Sequence, residues 1–234
     1  MIGAGFEQGN GAMREGKRIS PALSAEDPIV CVVDDDPDLR VALSNLFESV
    51  GLRVKSFASA GELLQHGLPA AVPSCLVLDI RLPRLGGLDL QAELQRQGIQ
   101  VPIIFITGHA DVPMTVKAMK AGAIDFLPKP FRDQDILDAV TGALERDRKR
   151  RSAEESNADA RARFASLTPR ERQVMALVTG GLMNKQAAAK IGISEMTVKI
   201  HRGNVMKKMR TRSLADLVRI AESLGIRGQE QEEI

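Results

Sequence analysis

The chain has 234 residues, 44% hydrophobic and 26% charged, the balance of a soluble globular protein of one or two domains. Its apolar runs are too short to span a bilayer and no charged-then-apolar leader opens it, so membrane and secreted classes are set aside and a cytoplasmic protein is expected. The net charge of +2 conceals an asymmetry: residues 28–143 carry ten Lys and Arg against fourteen Asp and Glu, whereas residues 164–228 carry twelve against four. Only the second stretch has the sign needed to bind nucleic acid. Cys31 and Cys75 lie inside apolar runs, without a CxxC pair or a zinc spacing, and read as small core residues in a reducing compartment.

In chain order, residues 1–27 hold scattered Gly, Ser and Pro without a sustained apolar period. They read as a disordered lead in which Met13 is a second candidate initiator. Ile29–Val33 is a first strand, a short apolar run bounded by turn signals. It runs into Asp34-Asp35-Asp36-Pro37, where Pro37 opens a helix and Asp36 is a solvated helix-start acid. Leu39, Leu43, Leu46, Phe47 and Val50 recur at helical spacing until Gly51. A weaker strand, Arg53–Phe57, precedes a short helix near Ala60–His66. The central strand begins at Cys75 and ends in a carboxylate, Asp79, after which Arg81, Pro83, Gly86 and Gly87 make a loop. Helix Leu88–Gln97, strand Val101–Thr107, helix Val112–Ala121 and strand Ala123–Leu127 follow. A last helix starts near Arg132 with Ile136, Leu137, Val140 and Leu144 on one face. Five strands alternating with helices give an α/β, doubly wound, five-stranded parallel sheet over residues 28–144.

Residues 145–163 are charged or small, with alanine as the only apolar type, and read as a charged helical linker, either a rigid helix or a flexible tether. From Phe164 only the helical period remains. Thr168-Pro169-Arg170-Glu171 is a capping box with Pro at the first helical position, and Gly180-Gly181 stop that helix. Asn184 opens a second short helix, Gly192-Ile193-Ser194 is a tight turn, Ser194 caps a third helix running to about Met209, and Ser213 caps a fourth. Residues 164–228 are thus an all-α, four-helix domain of helix-turn-helix pattern, and residues 229–234 an acidic tail.

Asp34, Asp35, Asp79, Thr107 and Lys129 all fall at the carboxyl ends of strands, the side on which open α/β sheets bind ligands. Three carboxylates converging there need a cation, and oxygen-only ligands favour Mg²⁺. A hydroxyl and an ammonium supply donors for the oxygens of a phosphoryl group, and a carboxylate can act as nucleophile to form an acyl phosphate. Blander roles stand beside these: Asp79 as a strand-capping acid, Phe126 as a core aromatic, His109 as an exposed loop histidine. On the third helix of the basic domain, Val198, His201, Val205 and Met209 fall on one side. The other side carries Met196, Lys199, Ile200, Gly203, Asn204 and Lys207. An exposed Ile200 beside Lys199 suits a thymine methyl and a guanine or phosphate, and Lys207, Lys208, Arg210 and Arg212 extend a basic strip for phosphates.

Val32-Val33-Asp34-Asp35, Leu78-Asp79 with Pro83, Ile106-Thr107-Gly108 and Asp125-Phe126-Leu127-Pro128-Lys129-Pro130 resemble, in this order, the receiver domain of bacterial two-component response regulators, a flavodoxin-like fold. The resemblance covers Pro28–Leu144. It implies that Asp79 is the phosphoacceptor, that Asp34 and Asp35 hold Mg²⁺ with Asp79 and the backbone carbonyl of Arg81, and that Thr107 and Lys129 read the phosphoryl group. It further implies a switch made of Thr107 and Phe126, and admits a cis Lys129–Pro130 bond. Leu167-Thr168-Pro169-Arg170-Glu171-Arg172, Gly181-Leu182-Met183-Asn184-Lys185, Ile193-Ser194, Thr197-Val198-Lys199 with His201, and Asn204–Met209 resemble the LuxR-type helix-turn-helix domain. That likeness implies DNA contacts from Thr197, Lys199, Ile200, Gly203, Asn204, Lys207 and Lys208.

The whole chain resembles a response regulator of the NarL/FixJ type. The resemblance implies a sensor histidine kinase that phosphorylates Asp79, a homodimer formed on phosphorylation, and double-stranded promoter DNA with half-sites about one helical turn apart. It also implies activation through RNA polymerase, and no enzyme beyond catalysis of its own phosphorylation and dephosphorylation. Two readings stay beside this one. The first is a DNA-binding scaffold indifferent to phosphate. The second is a hydrolase of the haloacid type, which would want a second Asp two residues after the nucleophile, where this chain has Arg81. No GxxxxGKS or GxxxxGKT occurs, so an ATPase activator is set aside.

Overall fold

The computed structural model describes residues 27–108 and 112–226; the N-terminal lead up to residue 26, His109 and the acidic tail 229–234 lie outside the described residues. The chain divides between Glu145 and Arg146 into two compact units.

In the first unit, β1 (Ile29–Val33), β2 (Arg53–Phe57), β3 (Ser74–Asp79), β4 (Ile103–Thr107) and β5 (Asp125–Pro128) form one parallel sheet in the order β2-β1-β3-β4-β5. The inner strands are apolar on both faces because both faces are covered. Cys31, Val33, Leu76, Leu78 and Phe105 point to one core, where Ala60 and Leu63 of α2 (Ala60–His66), Leu90 and Leu94 of α3 (Gly87–Arg96) and Ala118 of α4 (Val112–Lys120) meet them. Val30, Val32, Cys75, Val77, Ile104 and Ile106 alternate to the other core. There Leu43 and Phe47 of α1 (Pro37–Ser49) and Ile136, Val140 and Ala143 of α5 (Asp133–Ala165) cover the sheet. The connections leave β1 in opposite directions, so the sheet's switch point is the crevice between the carboxyl ends of β1 and β3.

Two strands are shorter than their apolar runs. β4 begins at Ile103 rather than Val101, because Pro102 has no N–H for the ladder and offers only its carbonyl, to Leu76 N at 2.9 Å. β5 begins at Asp125 rather than Ala123, although Ile124 N already donates to Ile103 O at 2.7 Å.

α5 is continuous through the charged segment. With few apolar residues there, i,i+3 and i,i+4 ion pairs support it: Asp147 with Arg150 and Arg151, Glu154 with Arg150, and Asp159 with Arg163. The second unit adds α6 (Pro169–Thr179), α7 (Asn184–Ile191), α8 (Glu195–Met209) and α9 (Leu214–Ser223). Their core is Leu167, Val174, Met175, Val178, Ala187, Val198, Val205, Met209, Leu217 and Ala221.

Both cysteines are free and fully buried. Burial pushes the Cys31 thiol up to about 12, with Lys55 opposing weakly. A thiol alkylates as its thiolate. Neither cysteine is therefore expected to react with iodoacetamide in mildly alkaline buffer until guanidinium chloride is added. An intact-mass increase on the folded protein would contradict this packing.

Candidate functional site

The first unit gathers five polar residues at its switch point, each delivered by the end of a strand. β1 carries Asp34 out of the sheet, β3 ends on Asp79, β4 ends on Thr107, and Lys129 follows β5 directly and is joined to Pro130 by a cis bond. Lys129 N donates to Thr107 O at 2.7 Å, which fixes the start of the lysine side chain beside β4. Its Nζ then bridges Asp34 Oδ2 at 2.7 Å and Asp79 Oδ2 at 2.6 Å. The second oxygen of each acid is held by backbone: Asp34 Oδ1 accepts from Asp36 N and Asp79 Oδ1 from Arg81 N, both at 2.9 Å. Asp34, Asp79 and Thr107 are buried, while Asp35 is exposed at the rim.

One ammonium thus serves two buried carboxylates, and the charge states follow. Burial raises the pKa of Asp34, and repulsion from Asp79 adds to it; hydrogen bonds from Lys129 and from Asp36 N offset only part. For Lys129 burial works against the charged form, but two carboxylate partners outweigh it and hold the pKa above the ordinary lysine range. Ligand oxygens of Asp34, Asp35 and Asp79 lie within 4.8 Å of one another. Three negative charges against one ammonium leave a deficit that a hard divalent cation fits, and the donors are all oxygen.

Some supports were not legible in the motifs. Arg40 Nη1 donates to Asp34 O at 2.7 Å, tying the acidic loop to α1. Asp36 caps α1 by accepting from Asp38 N and Leu39 N, so it is a cap rather than a ligand. Gly87 starts α3 against the backbone of the nucleophile candidate: a Cβ there would overlap the Asp79 carbonyl oxygen and press on Ile80 Cα. Gly86-Gly87 after Pro83 was the signal, and it reads in sequence only as a loop. Phe126 is half-buried against the core of Phe105, its β4 register partner.

In the second unit the tight turn forms as its residues dictate. Gly192 takes the left-handed conformation at φ 67°, and Ser194 Oγ accepts from Thr197 N at 3.1 Å to start α8. Val198, Val205 and Met209 bury one side of α8, while Met196 and Ile200 stay 65% and 58% exposed on the other. Lys199, Gly203, Asn204 and Lys207 are exposed as well. Two predicted contacts are already engaged within the unit. The Thr197 hydroxyl lies 2.8 Å from Ser194 Oγ. Lys208 Nζ donates to Glu171 Oε2 at 2.6 Å. Glu171 is buried and also completes the α6 capping box through Thr168 N at 2.8 Å.

An acid-and-lysine crevice at a doubly wound sheet's switch point, on one chain with a basic helix-turn-helix unit, is the combination that defines a two-component response regulator. Comparison with known families agrees unit by unit: residues 30–141 match the response regulator receiver domain, and residues 165–221 match the bacterial regulatory proteins of the luxR family. The chain belongs to the NarL/FixJ-type response regulators, DNA-binding proteins of two-component systems. It is 62% identical over 205 residues to nodulation protein W of Bradyrhizobium diazoefficiens, covering 88% of this chain and 90% of that protein. It is 44% identical over 197 residues to the transcriptional regulatory protein FixJ of Azorhizobium caulinodans, covering 84% and 93%. The solved structure of response regulator StyR aligns with a TM-score of 0.75 at 49% identity, over 84% of this chain and 98% of that one.

Two outcomes follow from these contacts. Gly87→Ala is expected to cost about 1–3 kcal/mol, since backbone must move to admit the methyl group; urea melts that superimpose on wild type would show the approach to be slack. The Glu171 carboxyl is held below its ordinary value, chiefly by the Lys208 hydrogen bond and next by Thr168 N. A depressed folded value stabilises above the unfolded value of 4.5 and is lost as pH falls through the folded one. Glu171→Gln should therefore lower the second unit's melting temperature at neutral pH, with the gap closing on acidification below about 4.5; a pH-independent gap would mean that the pair carries no charge linkage.

Proposed function

We propose that Asp79 accepts a phosphoryl group from a phosphohistidine of a partner sensor histidine kinase, and that this controls binding of the second unit to promoter DNA. The observation that carries the reading is the Lys129 ammonium bridging Asp34 and Asp79. A carboxylate oxygen of Asp79 forms the new bond to phosphorus while the bond to the histidine nitrogen breaks, and the electron pair returns to the imidazole. Asp34, Asp35 and Asp79, with the Arg81 backbone carbonyl, would hold Mg²⁺. When bound, the ion screens repulsion between the carboxylate and the incoming dianion.

Lys129 then exchanges its Asp79 partner for a phosphoryl oxygen, and Thr107 turns its hydroxyl to another. Phe126 follows Thr107 inward as the switch aromatic. Apolar Val112, Val116 and Met119 stay exposed along one side of α4, three and four residues apart, and are a suitable surface for a homodimer formed on phosphorylation. The paired second units read a two-fold promoter site through Thr197, Lys199, Ile200, Gly203, Asn204 and Lys207, and activate transcription through RNA polymerase. The chain acts as a stoichiometric phosphoacceptor rather than as an enzyme on an external substrate. No described helix is long and apolar enough to cross a membrane, in keeping with a cytoplasmic regulator.

Wild type and Asp79→Asn, each treated with a small acyl-phosphate donor and Mg²⁺, separate this reading from a phosphate-indifferent scaffold. Only wild type should gain one phosphoryl mass, shift to dimer by light scattering, and bind promoter DNA more tightly at fixed salt. Equal DNA affinity with and without the phosphoryl group would leave the receiver without a regulatory role.

A further inference from the structure

We propose that Gln91 and Gln95 of α3 are positioning residues of the switch: they pin the C-terminal end of α4, so that phosphorylation of Asp79 swings α4 about that end and carries Val112 and Val116 with it. The proposal rests on the reading of α4 as the surface of a phosphorylation-dependent homodimer, and it assigns the side chains that hold that surface in place.

The two glutamines stand four residues apart on α3, so they lie one above the other on the same face. Both donate to one acceptor, the Ala121 carbonyl just past the last turn of α4: Gln91 Nε2 at 2.9 Å and Gln95 Nε2 at 2.6 Å. A carbonyl oxygen has two lone pairs and can accept both. The last carbonyls of a helix lack partners within it and carry its negative end, which suits N–H donors.

Gln91 is the more telling of the two. It is only 2% exposed and lies with Leu90 and Leu94 on the buried side of α3. A leucine there would need no partner, whereas a buried amide is costly unless it is hydrogen-bonded. Its partner lies thirty residues along the chain, so burial of this side chain is tied to the position of the end of α4.

Other bonds gather at the same end. Ala123 N donates to Ala118 O at 3.1 Å, and Ile124 N donates to Ile103 O at 2.7 Å, which joins the chain leaving α4 to β4. Among the described residues of α4, Ala118, in its last turn, is the one that is fully buried. Toward the other end, Met114 reaches the core only in part and Val112 is 77% exposed. A helix fastened at one end moves by tilting about it. α4 has nine residues, a length of about 13 Å, so a tilt of about 10° shifts Val112 by about 2 Å while Ala121 stays in place. Close-packed apolar contacts are made or lost over such a distance.

The test uses the full chain as wild type, as Gln95→Ala, and as a double variant carrying Gln91→Met and Gln95→Ala, in which methionine fills the buried space without donating. Each is treated with acyl-phosphate donor and Mg²⁺. Intact mass reads the phosphoryl gain, light scattering across a concentration series reads dimerisation, and hydrogen–deuterium exchange reads the backbone. In wild type, phosphorylation is expected to change exchange over residues 112–119 and to leave residues 121–124 as they were. In the double variant, residues 121–124 should exchange about tenfold faster even before phosphorylation, because both donors are gone. That variant should still gain one phosphoryl group but dimerise about fivefold more weakly, since α4 spends a smaller share of its time in the competent position. Gln95→Ala, at an exposed site, should fall between the two and carries the comparison should the double variant not fold. Wild type whose exchange changes as much over 121–124 as over 112–119 would overturn the pivot. So would a double variant that melts lower yet dimerises like wild type, which would leave the glutamines a packing role alone. Wild type that gains the phosphoryl group and stays monomeric would instead overturn the dimer reading itself, and the pivot with it.

Discussion

The receiver site depends on a single ammonium shared between two buried acids. Asp34 and Asp79 come from strands that neighbour each other in space but are separated by a complete α-β-α passage of chain. Two carboxylates brought together in a low-dielectric crevice repel, and each loses its hydration. Lys129 resolves both problems only because β5 sits beside β4 and the Thr107 carbonyl anchors its backbone. The sheet order is thus what makes the acids tolerable, and the acids are what make the lysine available. Any group that takes Asp79 out of this arrangement leaves Lys129 looking for an oxygen, which is the physical basis for reading a phosphoryl group at that place.

How much of this was legible in the sequence follows from the range of each cause. Strand ends at Val33 and Asp79 and the helix caps at Thr168, Ser194 and Ser213 are local, set by residues a few positions apart, and the chain spells them out. The site residues were readable because each stands where an apolar run stops. Strand starts at Ile103 and Asp125 were less so: a ladder begins where a neighbour can donate and accept, and the apolar run continues beyond it. The Arg40 bond to Asp34 O, the Gly87 approach to Asp79 O and the Lys208–Glu171 pair were not readable. Each joins residues whose separation depends on how elements pack, and nothing in the spacing of the chain signals it.

The same distinction explains the charged segment. Its composition says that it lacks an apolar face and leaves the choice between a helix and a tether open. The continuous α5 is explained by its ion pairs, in which Asp147 and Glu154 flank Arg150, and Asp147 also holds Arg151. The more exposed Arg150–Glu154 pair contributes only about 0.3–0.5 kcal/mol, whereas Asp147 is buried and its two arginines neutralise a charge that would otherwise be costly to bury. Helical form here therefore follows from local charge pairing, part of it around one buried acid, in contrast to α1 or α6, where a buried apolar stripe decides the matter.

The two units solve one electrostatic problem in opposite senses. In the receiver, an excess of carboxylates is gathered around one lysine, and the unmet negative charge suits a divalent cation. At the end of α8, four cations are gathered around the buried acid Glu171 with Asp159 nearby, and positive charge is in excess. In both places part of the charge is locked into internal pairs. Those pairs hold the framework: Lys129 across three strands, Arg163 and Lys208 across three helices. What remains unmatched is small, fixed in position and of one sign. In the receiver the division is not absolute, because the Lys129 ammonium that holds the two acids together is also the group set free when Asp79 is engaged elsewhere.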